Sequence, residues 1–288
     1  LVDENRIFVS FGLTRLSSAS RIGIQALKKV AGIADCVDSV AVGFRLAPRL
    51  NAAGRLDDAS VAVELLLTDD RERADALAEY LNAGNEERQA LEQEILNDAL
   101  QMVASGSNLR GRRSIVLASE SWHSGVIGIV ASRIVELFHR PTILIALQDG
   151  NGKGSGRSIP GFHLHDALRA CSEHLIRFGG HKYAAGLTID QDTLEEFTRR
   201  FDDVAAGLLS EEDLLPEIRI DAELTSDDIS LAMAEQVALL EPFGSGNPRP
   251  VFLLRCAKVV ERSVLKDRHL RLRLAVGGMC LDAMGFSL

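Results

Sequence analysis

Between Gly154 and Gly186 the chain carries Gly154-Ser-Gly-Arg-Ser158, a helix-like stretch with several histidines, and then Gly179-Gly-His-Lys-Tyr-Ala-Ala-Gly186. These are residue types that hold phosphate. Glycines let backbone N–H groups come close to an anion, the Arg157 guanidinium offers a two-pronged fork to its oxygens, and His181 can donate or shuttle a proton near neutral pH. Alone, a glycine pair reads equally as a turn or helix stop, and a single histidine as an interior or surface residue. The two segments together single out an anion site.

The elements that must position them follow from the apolar pattern. Ser114 to Ala118 reads as a short strand, Val126 to Phe138 as an apolar helix and Thr142 to Leu147 as a second buried strand. A right-handed crossover makes such strands parallel and puts ligands at their carboxyl ends. Trp122-His-Ser-Gly125 and Gly152 to Ser158 follow those ends, so the two loops are expected to meet in one crevice. Asp192 with Glu195 is expected to cap a helix toward Leu209.

Upstream, Asn5–Leu16 and Ile24–Val30 read as helices, and Ala59–Leu67 as another capped by Asp57 or Asp58. Asn51, Gly54 and Arg55 then stand at a helix entrance that favours an anion, or else are a loop asparagine and a surface arginine. A long polar helix is expected from Asp69, with Glu72 as capping-box partner, to about Val103, and Gly84 is its one candidate break. It suits a strut between domains. From about Leu215 the character changes: an acidic segment, a helical stretch from Met233 to Leu240, a Gly- and Pro-rich run to Pro250, and short strands at 251–254, 257–260, 270–274 and 280–283. Alternation with Leu270, Leu272 and Leu274 puts Arg271 and Arg273 on one strand face.

With 288 residues, 46% of them hydrophobic and 25% charged, the chain is long enough for two or three packed units. No apolar run approaches the roughly 20 residues that cross a bilayer. Cys36, Cys171, Cys256 and Cys280 lack metal or disulfide spacing and read as thiols in a reducing cytoplasm. The net charge of −9 is unevenly spread. Glu211, Glu212, Asp213, Glu217, Asp221, Glu223, Asp227 and Asp228 crowd one segment, a docking face or a solvated edge. Three basic groups stand apart from it: Arg45, Arg49 and Arg55; Lys153, Arg157, Arg169, Arg177 and Lys182; and Lys258, Arg262, Lys266, Arg268, Arg271 and Arg273. Each is a solvated face or part of a phosphate track. Gly150-Asn-Gly-Lys-Gly-Ser155 lacks the ending of a nucleotide P-loop, so ATP binding is rejected.

Four segments in fixed order carry a resemblance: Pro48-Arg-Leu-Asn-Ala-Ala-Gly-Arg-Leu56, Trp122-His-Ser-Gly-Val-Ile-Gly-Ile-Val-Ala131, the pair of glycine-rich segments above, and Glu241-Pro-Phe-Gly-Ser-Gly-Asn-Pro248. They resemble the DHH phosphoesterases that carry a DHHA1 domain, and among these the RecJ-type single-strand-specific exonucleases. No Asp-His-His motif occurs, so the resemblance implies a fragment truncated at both ends, whose family metal ligands lie outside this chain. The implied fold is α/β multidomain: a helical remnant of a DHH domain (1–68), a connecting helix (69–104), a DHHA1 domain with a mixed sheet (105–212) and a partial OB-like β-barrel (213–288).

The implied activity of the parent protein is hydrolysis of single-stranded DNA from its 5′ end, in repair and recombination, with Mn2+ or Mg2+ in the intact enzyme and none bound by this fragment, which alone would not cleave. By resemblance, His181 is the catalytic contact near the metals, Ser155, Arg157, Gly179 and Gly180 bind substrate phosphate, and Asn51 and Arg55 line the cleft. His123 is a further candidate, or a helix-start histidine bonded to backbone. His163, His165 and His174 read as structural or exposed; Lys182 and Tyr183 flank the strand, or Tyr183 is core. The implied partner is single-stranded DNA, with a helicase or single-strand-binding protein besides, and the expected state is a cytoplasmic monomer free of membrane. The alternatives are a nanoRNase or cyclic-dinucleotide phosphodiesterase of the same fold and a catalytically dead single-strand-binding scaffold.

Overall fold

The structure, a computed structural model, describes residues 1–56, 58–105, 111–266 and 269–286; Asp57, one of the two cap candidates, and Arg268 of the third basic group lie outside the described residues. The chain opens with helices α1 (Asp3–Ser17) and α2 (Ile22–Val30), then a helical run in which α3 (Ser39–Ala41) passes through a π-helical turn (Val42–Leu46) into α4 (Ala47–Leu56), followed by α5 (Ser60–Leu67) and α6 (Arg71–Ser105). Next come β1 (Ile115–Ser119), α7 (Ile127–Phe138), β2 (Thr142–Gln148), β3 (Asn151–Arg157), α8 (Leu164–Arg169), β4 (Arg177–Gly180), β5 (Ala184–Asp190) and α9 (Leu194–Leu208). The last part holds β6 (Ala222–Leu224), α10 (Leu231–Ala238), β7 (Phe252–Leu254), β8 (Lys258–Leu265), β9 (His269–Val276) and β10 (Met279–Gly285). Contacts gather these into two compact units, one of 19–34 and 41–216, the other of 1–18, 35–40 and 217–288.

In the larger unit a mixed sheet runs in the order β1-β2-β3-β5-β4. The expected pairing of β1 with β2 is parallel, Ile115 opposite Thr142. Helix α7 forms because Ile127, Val130, Ala131 and Ile134 fall on one buried stripe. It packs with Trp122, Ile115, Leu144 and Ala146 on one side of the sheet. On the other side Ile143, Ile145, Leu187 and Ile189 meet Phe162, Leu164, Phe197 and Phe201 of the α8–α9 layer. A sheet covered on both faces is why β2 reads as an unbroken apolar run.

Helix α6 runs unbroken through Gly84 for 35 residues. Its buried side chains, Ala74, Leu77, Ala78, Leu81, Asn85, Arg88, Ile95 and Ala99, form a stripe against neighbouring helices, so the polar sequence conceals a packed face rather than a bare strut. Its start differs from the expected capping box: Asp70 accepts the Arg73 N–H at 3.1 Å. Likewise Asp190, not Asp192, caps the turn before α9. Asp58 caps α5 through the Ser60 N–H at 2.9 Å and hydroxyl at 2.8 Å, and these bonds hold its carboxyl below the usual range.

In the smaller unit β8, β9 and β10 form an antiparallel meander, and β6 pairs parallel with β7. Helix α1, expected with the other N-terminal helices, gathers here instead. The Arg6 guanidinium reaches the Leu239 and Glu241 carbonyls, both at 3.2 Å, where the last turn of α10 leaves acceptors unpaired. Acidic residues of the 211–228 segment are largely spent on local caps and pairs: Asp213 holds Ser210, Asp228 holds Thr225, and Glu223 holds Arg255.

Candidate functional site

The site grows from the alternation of β3. Gly152, Gly154 and Gly156 are buried, while Lys153 is exposed and Ser155 and Arg157 half-buried. A Cβ at Gly154 would lie 2.6 Å from Leu187 Cδ1, and one at Gly152 2.6 Å from Ile145 Cγ2. These glycines therefore let large core residues close over the strand; they do not cradle an anion. Period-two geometry sends Lys153, Ser155 and Arg157 to the opposite face, the one bearing α7.

This corrects the expected crevice. Gly152–Ser158 is not a loop beyond β2 but a strand folding back antiparallel to it, which brings Arg157 level with Thr142 at the amino end of β2. What meets Arg157 is the first turn of α7. A Cβ at Gly128 would stand 2.8 Å from Ser155 Oγ and 3.1 Å from Arg157 Nη2, so the absence of a side chain at Gly128 is what lets the two polar groups sit against the helix. Arg157 Nη1 donates to the Gly156 carbonyl at 2.8 Å and to Ser155 Oγ at 3.2 Å.

Arg55 arrives from α4 and donates through Nη1 to the Gly125 carbonyl at 3.0 Å, just before α7. Asn51 and Arg55 stand inside α4, one turn apart on the same exposed side, rather than at a helix entrance. A helix carboxyl end repels anions, so the dipole of α4 does not favour one beside Arg55, and the guanidinium is the positive group there. Burial, and then the nearby charge of Arg55, pull the Arg157 pKa below its ordinary value. Among the described residues neither guanidinium has a carboxylate partner.

His181 belongs to the same row by backbone pairing. Arg157 faces Ala184 across β3 and β5, and the His181 N–H donates to the Ala184 carbonyl at 2.8 Å from the other side. Arg157 and His181 thus flank Ala184, two strand spacings or about 10 Å apart along the backbone. Gly179 is opposite Gly186, which is opposite Ser155. Nothing stands over Gly179 where a Cβ would be. Gly180 has φ +144°, and a Cβ there would lie 2.5 Å from the Ala184 carbonyl oxygen, so the turn into His181 requires glycine.

The same register exposes two cations that motif reading left as one part of a diffuse cluster. Lys153 and Arg177 face each other across Thr188, both exposed, on the face of Ser155 and Arg157. The strip between the two rows is floored by Gly186 and Gly179 beside Ser155. The alternation of β3 was the signal; which strand lay beside it was not readable.

His123 is exposed, and its Nδ1 accepts the Gly125 N–H at 3.1 Å, the backbone-bonded alternative. Its neighbour Trp122 is buried and donates to Asp98 at 2.6 Å, anchoring the loop to α6. His163 caps α8, and Tyr183 is exposed beneath the Lys182 ammonium, 5.1 Å from its ring. Tyr183 is therefore not core.

The arginines on β9 do share a face, as expected, but acids across the sheet answer them. Arg273 lies 3.6 Å from Asp282 and 4.0 Å from Glu261, and Arg271 lies 3.8 Å from Asp282. Among the described residues no three His, Cys, Asp or Glu side chains gather as a divalent cation would need. The described residues do not fit a metal centre. No described helix is long and apolar enough to cross a membrane.

Comparison with known proteins matches residues 111–207 to the DHHA1 domain and residues 220–288 to the RecJ OB domain. The chain is 41% identical to the single-stranded-DNA-specific exonuclease RecJ of Dickeya dadantii, over 99% of this chain and 51% of that protein. It is 36% identical to the protein of that name from Bacillus subtilis, over 100% of this chain and 37% of the relative. It spans about half, or less, of the curated relatives it matches. The crystal structure of RecJ from Thermus thermophilus in complex with Mn2+ superposes with a TM-score of 0.84 at 36% identity, covering 97% of this chain and 41% of that one. By sequence, fold and order of domains, the chain belongs to the RecJ family.

Proposed function

We propose that this chain supplies the strand-gripping side of a metal-dependent exonuclease that hydrolyses single-stranded DNA from its 5′ end in repair and recombination. The observation that carries the reading is that Arg55 is anchored on the Gly125 carbonyl just before α7 while Arg157 lies against Gly128 in the first turn of that helix, and among the described residues neither has a carboxylate partner. Two like charges held together cost energy that an intervening phosphate removes, and half-burial strengthens that attraction by excluding water. Arg157 forks onto the phosphate, Ser155 donates its hydroxyl, and His181 closes the far side above Ala184, with the Gly179–Gly180 backbone giving close approach. Lys153 and Arg177 carry the next stretch of backbone, since four residues of strand set them about 13 Å from the Arg157 row. Asn51 and Arg55 bound the path on the α4 side.

Hydrolysis is assigned to no residue here, because a bridging-ester cleavage of this kind draws on divalent cations that the described side chains do not hold. One chain makes the whole grip, so a monomer suffices. A helicase or single-strand-binding protein fits as a supplier of strand, and a reducing cytoplasm fits the four free cysteines. The RecJ OB match at 220–288 disfavours the shorter nanoRNase and cyclic-dinucleotide enzymes.

The test is equilibrium binding of the chain to a single-stranded oligonucleotide across a salt series. Affinity should fall steeply as salt rises, and Arg157→Ala should lose about 10–100-fold, the worth of a charge-assisted bond or two. An Arg157→Ala protein that binds like the parent at low salt defeats the reading.

A further inference from the structure

A cavity of about 350 Å³ opens beside the phosphate row, lined by Ala52, Ala53, Tyr80, Gly84, Glu87 and His123 together with other residues of α6. We infer that it receives the nucleobase of the nucleotide whose phosphate sits on Arg55 and Arg157, an inference that rests on the function proposed above.

Position argues first. Arg55 holds the Gly125 carbonyl and His123 holds the Gly125 N–H, so the cavity wall and the phosphate row share one anchoring residue.

Gly84 argues second. A glycine in mid-helix costs stability relative to alanine, a cost that a positive φ or a close neighbour would account for. Neither applies: Gly84 lies inside α6 and nothing stands within 4 Å of where its Cβ would be. What the missing side chain leaves open is the cavity.

The lining argues third. Ala52, Ala53 and Gly84 give flat, small walls, and the half-exposed Tyr80 ring offers a face for stacking. With Nδ1 of His123 accepting the Gly125 N–H, Nε2 is the ring nitrogen left to donate to a base ring nitrogen or carbonyl. Glu87 accepts from an exocyclic amine, a pairing that favours cytosine over thymine. A volume near the lower end of ligand cavities, about 300–1,000 Å³, suits one base with its sugar.

The experiment scans a single abasic residue along a short single-stranded oligonucleotide and measures affinity at fixed salt. The parent chain should lose about tenfold at one position, the worth of one stacked base. Gly84→Leu, which fills the cavity while favouring the helix, should bind intact and abasic strands alike with an unchanged salt slope. Glu87→Gln should lose the preference for cytosine over thymine at that position. A parent indifferent to every abasic position, yet still salt-sensitive, overturns the base pocket and leaves the phosphate grip standing. Gly84→Leu that melts like the parent and keeps the abasic sensitivity overturns it too. A parent that binds no strand at any salt overturns both.

Discussion

Two sheets in this chain carry arginines, and they differ in what opposes them. On β9, Arg271 and Arg273 meet Asp282 and Glu261 from the neighbouring strands at 3.6–4.0 Å. Beside α7, Arg157 has the charge of Arg55 nearby instead, and no carboxylate among the described residues. Exposed ion pairs contribute little and leave no net charge to attract a phosphate, whereas a cation repelled by its neighbour gains most from one. Counting basic residues would rank the two regions equally; counting their partners separates them. The regions also differ in packing. The sheet beside α7 is sandwiched between two apolar layers, while in the smaller unit Val37, Pro242 and Val276 are the buried side chains among the described residues.

Substitution can break this contrast. The largest effect is expected on binding: Arg157→Ala should weaken single-strand affinity about 10–100-fold, while Arg273→Ala, whose charge is already answered, should change it less than about twofold. Equal losses would erase the distinction. Next comes stability. Gly154→Val places carbon where Leu187 now lies, at 2.6 Å from the added Cβ alone, and should lower unfolding free energy by about 1–3 kcal/mol in a denaturant titration. The protein that remains folded should keep its affinity, since Gly154 faces the core and not the strand.

Asp282→Ala sharpens the comparison from the other side. Releasing Arg271 and Arg273 should tighten binding a few-fold at low salt and steepen the salt slope by about one, with no gain at high salt. The smallest effect is chemical. Burial pushes the Cys171 thiol up to about 11, so it stays protonated near neutral pH and should resist iodoacetamide in the native chain. Cys256 and Cys280, exposed in the thinly packed unit, should react, as should Cys36. Rapid native labelling of Cys171, read by mass spectrometry, would mean that the sheet beside α7 opens as readily as the other.

Much of the architecture was legible in the residues. The apolar run from Thr142 and the stripe in Val126–Phe138 specified β1-α7-β2, and the alternation at Leu270, Leu272 and Leu274 specified β9, because burial on one face imposes its own period on the sequence. Caps were less legible: an acid one residue away serves as well, so Asp70 and Asp190 took the places expected of Asp69 and Asp192. The glycines of β3 misled, since an anion loop and a strand closely packed on one face ask for the same residue.

By itself the sequence determined which groups were available: a guanidinium at Arg157, an imidazole at His181, glycines at Gly179 and Gly180, and a second guanidinium at Arg55. Only the tertiary structure decided which of them meet. Antiparallel pairing through Ala184 set Arg157 and His181 in one row, and Gly128 let Arg157 settle against α7 near Arg55. The physical reason is that strand order and register are long-range choices, made by whichever arrangement buries the most apolar surface, and they leave no mark on the spacing of the polar residues they bring together.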